Sequence, residues 1–323
     1  HYQDYGGFAR VTDDRLIGGF RNRVVAGVNL LNGRIDNQQF ANLAGQKGAL
    51  LSSSIDRSQN TSVYVEDSFY FLPNVAAVAG TQFLYATRDR QDRLLNDGDQ
   101  SGRTEFNLWS PKGGLLWQID PTWQAFANIS RSAEVPSFGE SSNGPGIPTI
   151  PFTSIRAQTA TTYEIGTRDR RPNLTWEVTL YRANIRDELQ CLYSSFGNCQ
   201  VTNADRTIHQ GIEAGAGAAV LKGLFVPGDA PDKLWLNVAY TFNDFRFDND
   251  AVFGNNLLPG APRHFVRAEL LYKHPSGFYI GPNLEWVPQG YYVDSANTLS
   301  TNAYAIYGLK AGFDDGERYS GYV

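Results

Sequence analysis

Along most of this chain, apolar and polar side chains alternate with a period of two, in runs of about ten residues. Leu174, Trp176, Val178 and Leu180 alternate with Thr175, Glu177, Thr179 and Tyr181. Ile212, Ala214, Ala216, Ala218 and Val220 alternate with Glu213, Gly215, Gly217 and Ala219. Phe278, Ile280, Leu284 and Trp286 alternate with Tyr279, Gly281, Asn283 and Glu285, and Tyr307, Leu309, Ala311 and Phe313 with Gly308, Lys310 and Gly312. Successive side chains of a strand point to opposite faces, so each run is a strand with one apolar face and one polar or small face. No apolar run approaches the ~18 residues a membrane helix needs. The longest small-apolar stretches are Val75 to Gly80 and Ala214 to Leu221.

The pattern predicts about thirteen strands, near 19–32, 60–71, 75–90, 104–119, 122–133, 158–170, 173–188, 205–221, 232–247, 263–274, 277–288, 302–313 and 317–323, with 1–18 able to hold the end of one more. Short connections at Leu72-Pro73-Asn74, Asp120-Pro121-Thr122, Arg171-Pro172-Asn173, Pro275-Ser276-Gly277 and Asp314-Asp315-Gly316 read as tight turns. Long ones run over 33–59, 90–103, 133–157, 188–205, 248–261 and 288–301. Strict alternation of short and long connections is expected of an all-β, transmembrane up-and-down antiparallel barrel, with turns at one rim and loops at the other.

A large soluble β-protein would alternate in the same way, with the apolar face as its core. Two features favour a barrel whose apolar face meets lipid and whose polar face lines a wet lumen. The polar face carries charge in mid-strand, at Glu66, Glu164, Arg168, Glu177, Glu213, Glu269, Glu285 and Lys310. Aromatic residues gather near strand ends, at Phe69, Phe71, Trp117, Trp123, Trp176, Trp286, Tyr292 and Tyr307, as an interfacial girdle requires. Strands of twelve or more residues also exceed the ordinary length of about five or six. The 13% aromatic content, with 17 Tyr and 32 Gly, suits many strands joined by turns. A net charge of −5 supplies no basic field to recruit nucleic acid.

Cys191 and Cys199 lie close together in a polar segment. A local disulfide would imply an oxidising compartment, and two free thiols a reducing one. The chain starts at His1 and has no Met, so its start is not expected to be the start of the gene.

Several segments, taken in order, resemble TonB-dependent receptors, the active importers of the Gram-negative outer membrane. They are Val63-Tyr64-Val65-Glu66-Asp67 with the Leu72-Pro73 turn, Trp109-Ser110-Pro111-Lys112-Gly113-Gly114-Leu115, and Asn128-Ile129-Ser130-Arg131-Ser132 leading to Val135-Pro136-Ser137-Phe138-Gly139-Glu140. Thr162-Tyr163-Glu164-Ile165-Gly166-Thr167-Arg168, Asn203 through His209-Gln210-Gly211-Ile212-Glu213, and Leu258-Pro259-Gly260-Ala261-Pro262-Arg263-His264 continue the match. The ferric-siderophore and ferric-citrate members are the most similar group. The resemblance implies that residues 1–323 are part of a barrel of about 22 strands, with the family's N-terminal plug and its TonB-contacting segment outside this chain. It implies uptake of a ferric siderophore or similar iron chelate, energised by TonB and its inner-membrane complex, by a monomer set in outer-membrane lipid and lipopolysaccharide. A passive porin, and TonB-dependent uptake of cobalamin, haem, copper or a glycan, remain as alternatives. An outer-membrane hydrolase would need a Ser/His/acid set at the rim, and none stands out.

Candidate sites follow from residue types. Proline and aromatic residues in the 134–157 loop, Phe138 and Phe152 among them, are placed either to contact a chelate or to pack the loop. Arg131 and Arg156 flank that loop and suit an anionic ferric complex through charge-assisted hydrogen bonds. Tyr193 and Phe196 sit in the loop that a Cys191–Cys199 bond would stiffen, as a structural clip or as ligand contacts. Glu164 and Glu213 could form a hydrolase's carboxylate pair. As charges in equivalent strands, they are instead expected to pair with Arg168 or Lys310. His1, His209, His264 and His274 have no metal-ligand spacing, and no cofactor or protein metal site is expected, because a siderophore arrives with its iron already chelated. No phosphate-binding glycine loop or nucleophile elbow is present.

Overall fold

A computed structural model of the protein describes residues 1–141, 152, 155–193 and 199–323. Its described residues form one sheet of 14 strands, hydrogen-bonded in chain order from β1 to β14. The strands are β1 Tyr2–Ile17, β2 Phe20–Leu43, β3 Gln46–Leu72, β4 Val75–Asp92, β5 Gly102–Gln118, β6 Trp123–Glu134, β7 Gln158–Arg171, β8 Leu174–Tyr193, β9 Cys199–Lys222, β10 Lys233–Phe247, β11 His264–Lys273, β12 Phe278–Val287, β13 Tyr304–Asp314 and β14 Ser320–Tyr322. Helical structure among the described residues is a four-residue turn, α1, at Phe138–Ser141 and a 3-10 turn at Leu95–Asp97. Among the described residues no helix is long and apolar enough to cross a membrane. By contacts the chain divides into two units. Unit 1 is His1–Leu115, Ile129–Thr162 and Asn184–Thr207; unit 2 is Leu116–Asn128, Tyr163–Ala183 and Ile208–Val323.

Four expectations about strands and connections need correction. Residues 1–18 hold a full strand, β1, paired from Tyr2↔Ile35 to Ile17↔Phe20, so the sheet has one strand more than the pattern gave. The predicted 33–59 loop is mostly strand, because β2 and β3 run on to a two-residue turn at Ala44 (φ 52°) and Gly45 (φ 87°). Its Asn, Gln, Ser and Arg residues wet both faces, which erases the apolar contrast by which a strand is read. Here the ladder of pairs between β2 and β3 holds the strands without an apolar face. β8 and β9 likewise extend into the predicted 188–205 loop. Short and long connections do not alternate strictly, since residues 223–232 form a longer connection on the short-turn side. There Asp232 has no exposed surface, and its carboxylate accepts the Phe225 N–H at 2.9 Å.

The tight turns follow from their sequences. The Asp120 carboxylate accepts the N–H groups of Thr122 and Trp123 at 2.8 and 2.9 Å, closing the β5–β6 turn around Pro121. At the β11–β12 turn Gly277 has φ 95°, and a Cβ there would collide with the Asp314 carbonyl. Only glycine meets both demands.

The registers separate two faces. In unit 2, Arg267↔Glu285, Glu269↔Asn283 and Gly281↔Lys310 share the polar face, and Val266↔Trp286, Ala268↔Leu284 and Leu284↔Tyr307 the apolar one. The apolar face is bare: Tyr307 is 79% exposed and Leu309 69%. In unit 1, Val24, Ala26, Val28 and Leu30 of β2 lie beside Val63 and Val65 of β3. The same face then turns to Asn32, Arg34 and Asp36, with Arg34 opposite Arg57. In each unit an exposed apolar face of this kind, ending in charge in unit 1, has the form of a surface solvated by lipid.

On the polar face, small residues make room for large ones on the neighbouring strand. The rings of Tyr64, Phe126, Tyr181 and Tyr279 lie over Gly27, Gly166, Gly211 and Gly312. A Cβ at Gly166 would stand 2.5 Å from Phe126 Cζ and 2.8 Å from Thr179 Oγ1. The recurrent glycines of the polar phase are therefore seats for aromatic rings, which hide backbone that would otherwise be bare.

Candidate functional site

The eight mid-strand charges all project from the polar face, where most are tied to residues one or two strands away. In unit 1 the Lys112 ammonium pairs with Glu66. In unit 2 Glu164 accepts the Asn128 amide at 2.7 Å, and Arg168 donates through Nε to Gln124 Oε1 at 2.8 Å while lying 5.8 Å over the Phe126 ring. Arg267 donates to Glu285 at 2.9 Å, and Lys310 reaches Glu269 at 3.3 Å. Glu177 lies against Gly215, where a Cβ would stand 3.3 Å from its Cγ. Glu213 is near enough to Tyr181 to act on its hydroxyl electrostatically.

The expected pairing of Glu164 and Glu213 with Arg168 or Lys310 is therefore wrong. A cross-strand pair forms where the register puts two residues opposite each other, and the sequence alone does not show which strands align at which height. A hollow of about 660 Å³ in unit 2 is lined by Glu177, Glu269, Glu285 and Arg267 among others. Within that lining Arg267 pairs with Glu285, while Glu269 is met from outside it by Lys310. The histidines are likewise engaged: His209 stacks on Phe245 at 4.2 Å, His264 Nδ1 meets the Tyr240 hydroxyl at 2.9 Å and His274 meets Ser276 at 2.7 Å.

The loop-end candidates separate. The Arg156 guanidinium donates to Asp187 at 2.7 Å, which raises its pKa above the ordinary guanidinium value. Asn203 accepts the Arg156 N–H at 2.9 Å and donates to the carbonyls of Arg156 and Asp187 at 3.0 and 2.8 Å. Asp187 has φ 56°, a strained conformation for a residue with a side chain, and the clamp holds it there. Arg156 is thus the pin of a structural clamp, with its side chain still 68% exposed.

Arg131 is exposed near the end of β6, in phase with the 48%-exposed Ile129 on the apolar face. It points away from the polar wall, because two residues along a strand return to the same side. Phe138 sits in α1, whose start is closed by a capping box: Ser137 N–H donates to Glu140 at 2.6 Å, and Glu140 N–H to Ser137 Oγ at 3.3 Å. The Phe152 ring covers Gly102, the first residue of β5. The side chains of Cys191, Tyr193 and Cys199, and all of Phe196, lie outside the described residues.

Sequence reasoning missed a buried polar cluster at the loop end of unit 1. Arg90 donates to both oxygens of Asp56 at 2.7 and 2.9 Å, with side-chain exposures of only 12% and 5%. Arg88, also buried, donates to the Pro136 carbonyl at 2.8 Å and to Asn60 at 3.1 Å, fixing the chain just before α1. The alternating Arg88-Asp89-Arg90 phase was a usable signal, since residues two apart share a face.

Comparison with known proteins adds the wider context. Residues 1–320 match the family described as TonB dependent receptor-like, beta-barrel. Among solved structures, the chain is similar to the ferric citrate transporter FecA in its unliganded form, at 18% identity and a TM-score of 0.75 over 98% of this chain and 48% of that one. It is similar to the ferric yersiniabactin uptake receptor from Yersinia pestis, at 15% identity and a TM-score of 0.69 over 99% of this chain and 48% of that one. It is also similar to a copper transporter, at 14% identity and a TM-score of 0.70 over 97% and 48%. The chain spans about half the length of the solved structures it matches.

Proposed function

Because the chain belongs to the TonB-dependent receptor β-barrel family, we propose that it builds the barrel wall of an outer-membrane receptor that imports an iron chelate with energy delivered through TonB. The observation that carries this reading is the family match over residues 1–320, nearly the whole chain. The bare apolar band and the charged polar face support it, since together they suit a wall between lipid and a wet interior. The names of the neighbouring structures favour a ferric chelate, ferric citrate and ferric yersiniabactin among them. The family is one of receptors and transporters rather than enzymes, and the polar wall's paired charges suit containment rather than bond cleavage.

In this reading the chelate is cargo, and the loops at the Arg88–Pro136 end face outward and meet it first. The receptor acts as a monomer in lipid and lipopolysaccharide. The test is uptake of radiolabelled iron by cells whose other iron receptors are deleted, supplied with a panel of ferric chelates. Uptake that needs both the full-length receptor and TonB is expected. Equal uptake without TonB would instead establish a passive channel. The likeness to a copper transporter favours copper as the second cargo to test. Copper accumulation with no iron uptake would replace the iron reading.

A further inference from the structure

The connection between β9 and β10 closes around one carboxylate. Asp232 has no exposed surface and accepts the Phe225 N–H at 2.9 Å. The backbone completes the closure: Gly223 N–H donates to the Asp232 carbonyl at 2.9 Å, and Asp232 N–H to the Val226 carbonyl at 3.3 Å. Pro227 and Pro231 stiffen the segment, and both lie against Gly223, within 3.8 and 3.9 Å of where its Cβ would stand. Yet this pinned segment holds apolar side chains in the open. Phe225 is 77% exposed, and Leu224 beside it 44%. A tied backbone that presents an aromatic ring outward marks a contact surface.

The side to which the ring turns is fixed by its neighbour. Phe225 meets the Tyr272 ring edge to face, with centroids 5.6 Å apart. Tyr272 lies opposite Leu234 of β10 and Ile280 of β12. It shares the phase of Val266 and Ala268, whose partners Trp286 and Leu284 belong to the apolar face. The Asp232 carboxylate lies beside the Tyr272 hydroxyl. The connection therefore folds back over the apolar face rather than across the polar wall. All of these residues belong to unit 2, and β9, β10 and β11 have neighbouring strands on both sides.

The chemistry of the patch matches one kind of partner. Phe225 extends the apolar face at the short-turn rim, and Tyr272 adds an apolar ring with a polar tip. Such groups favour the boundary between lipid headgroups and acyl chains. We propose that the β9–β10 connection is a lipid anchor, which lays the Phe225 ring into the headgroup–acyl boundary of the leaflet on the short-turn side, with Asp232 as the staple that holds it there. The proposal rests on the outer-membrane reading above. It adds a contact made by a connection, whereas the girdle expected from the sequence is made by strand residues.

The experiment uses the full-length receptor in vesicles of phosphatidylethanolamine and phosphatidylglycerol, with its cysteines replaced by serine. A nitroxide is attached in turn at Phe225→Cys, at Asp229→Cys on the exposed part of the same connection, and at Leu309→Cys on the apolar face. Collisions with oxygen, which concentrates among acyl chains, are compared with collisions with a neutral nickel chelate, which stays in water. The oxygen-to-nickel ratio at position 225 is expected to exceed that at 229 about threefold or more, because a ring at the boundary is buried among lipid. In an Asp232→Ala background the ratio at 225 falls to that at 229, and the ratio at 309 does not change.

Equal ratios at 225 and 229 overturn the proposal, since the ring then stands in water. Few collisions with either reagent at 225 also overturn it, because protein then covers the ring. An unchanged ratio at 225 in folded Asp232→Ala overturns the role of the staple. If Asp232→Ala does not fold, the 225 and 229 labels in the otherwise unaltered receptor still decide the anchor. A label at 309 that meets nickel more than oxygen removes the outer-membrane reading itself, and this inference with it.

Discussion

The glycine seats of the polar face make a quantitative prediction, best worked at Gly166. A methyl group there would stand 2.5 Å from Phe126 Cζ, 2.9 Å from Phe126 Cε1 and 2.8 Å from Thr179 Oγ1. Ordinary contact begins near 3.4 Å. Thr179 can rotate away, but the ring must move by close to 1 Å, against a position it shares with the Arg168 guanidinium 5.8 Å above it. Overpacking of this kind costs about 1–3 kcal/mol. Replacing glycine also restricts the unfolded chain, returning about 0.4–1 kcal/mol. The expected net loss for Gly166→Ala is therefore about 1–2 kcal/mol.

The decisive measurement is a double-mutant cycle with Phe126→Ala. Once the ring is gone the new methyl group has room, so Gly166→Ala should be neutral or mildly stabilising in that background. The coupling between the two sites should be about 1–3 kcal/mol. Urea unfolding of the purified full-length receptor in detergent, followed by the heat-modifiable gel shift of the folded barrel, supplies the four stabilities. Equal losses for Gly166→Ala with and without the Phe126 ring would refute the steric argument. Such a result would mean that the glycine serves the backbone rather than the ring.

Three further expectations follow from the loop end and the loops. Asn203→Ala removes three hydrogen bonds from the Arg156–Asp187 clamp and should raise protease cutting near Arg156 several-fold, with the global unfolding midpoint nearly unchanged. Arg90→Ala strands the Asp56 carboxylate at 5% exposure and should cost about 2–3 kcal/mol, whereas Arg90→Met with Asp56→Leu should cost less; urea midpoints decide the order. The third concerns Asp294, whose carboxyl is held below the usual carboxylate range by the Leu299 N–H first, then by Thr298. A lowered pKa gives stability that is complete at neutral pH and is lost as pH falls through the folded value. Protection of the Leu299 amide from hydrogen exchange should therefore persist down to the ordinary carboxylate range and vanish only in stronger acid. Loss of that protection near pH 6 would contradict the assignment.

What could be read from the sequence divides along a physical line. Runs such as Phe278 to Trp286 were legible because lipid-type surroundings demand an apolar face and a wet interior permits a polar one, so the contrast is written residue by residue. Where polar residues occupy both phases, as from Asn32 to Leu43, nothing requires the contrast, and the far half of β2 reads as loop. The polar face was legible for the same reason as the apolar one, and all eight charges fell on it. Their partners were not legible. Lys310 meets Glu269 rather than Glu164 or Glu213 because of strand register, and register depends on turns and bulges spread over the whole sheet. The engagement of Arg156 was not legible either. Its guanidinium meets the Asp187 carboxylate and its backbone N–H the Asn203 carboxamide, across 31 and 47 residues of sequence that no local pattern connects.

The β2–β3 hairpin leaves the apolar band near Leu30 and ends at Ala44–Gly45. At about 3.3 Å per residue, the part beyond the band extends on the order of 40 Å. A Cβ added at Gly45 would meet nothing within 4 Å, and Leu43 beside it is 63% exposed. The tip is therefore a natural insertion point, since a foreign peptide spliced between Ala44 and Gly45 interrupts no packing and only a two-residue turn. In the outer-membrane reading proposed above, it stands clear of the lipid on a stiff ribbon, within reach of antibodies and phage. The same hairpin could then serve as a display mast for chosen epitopes, and as a fluorescent handle for counting copies of the protein without touching its charged wall.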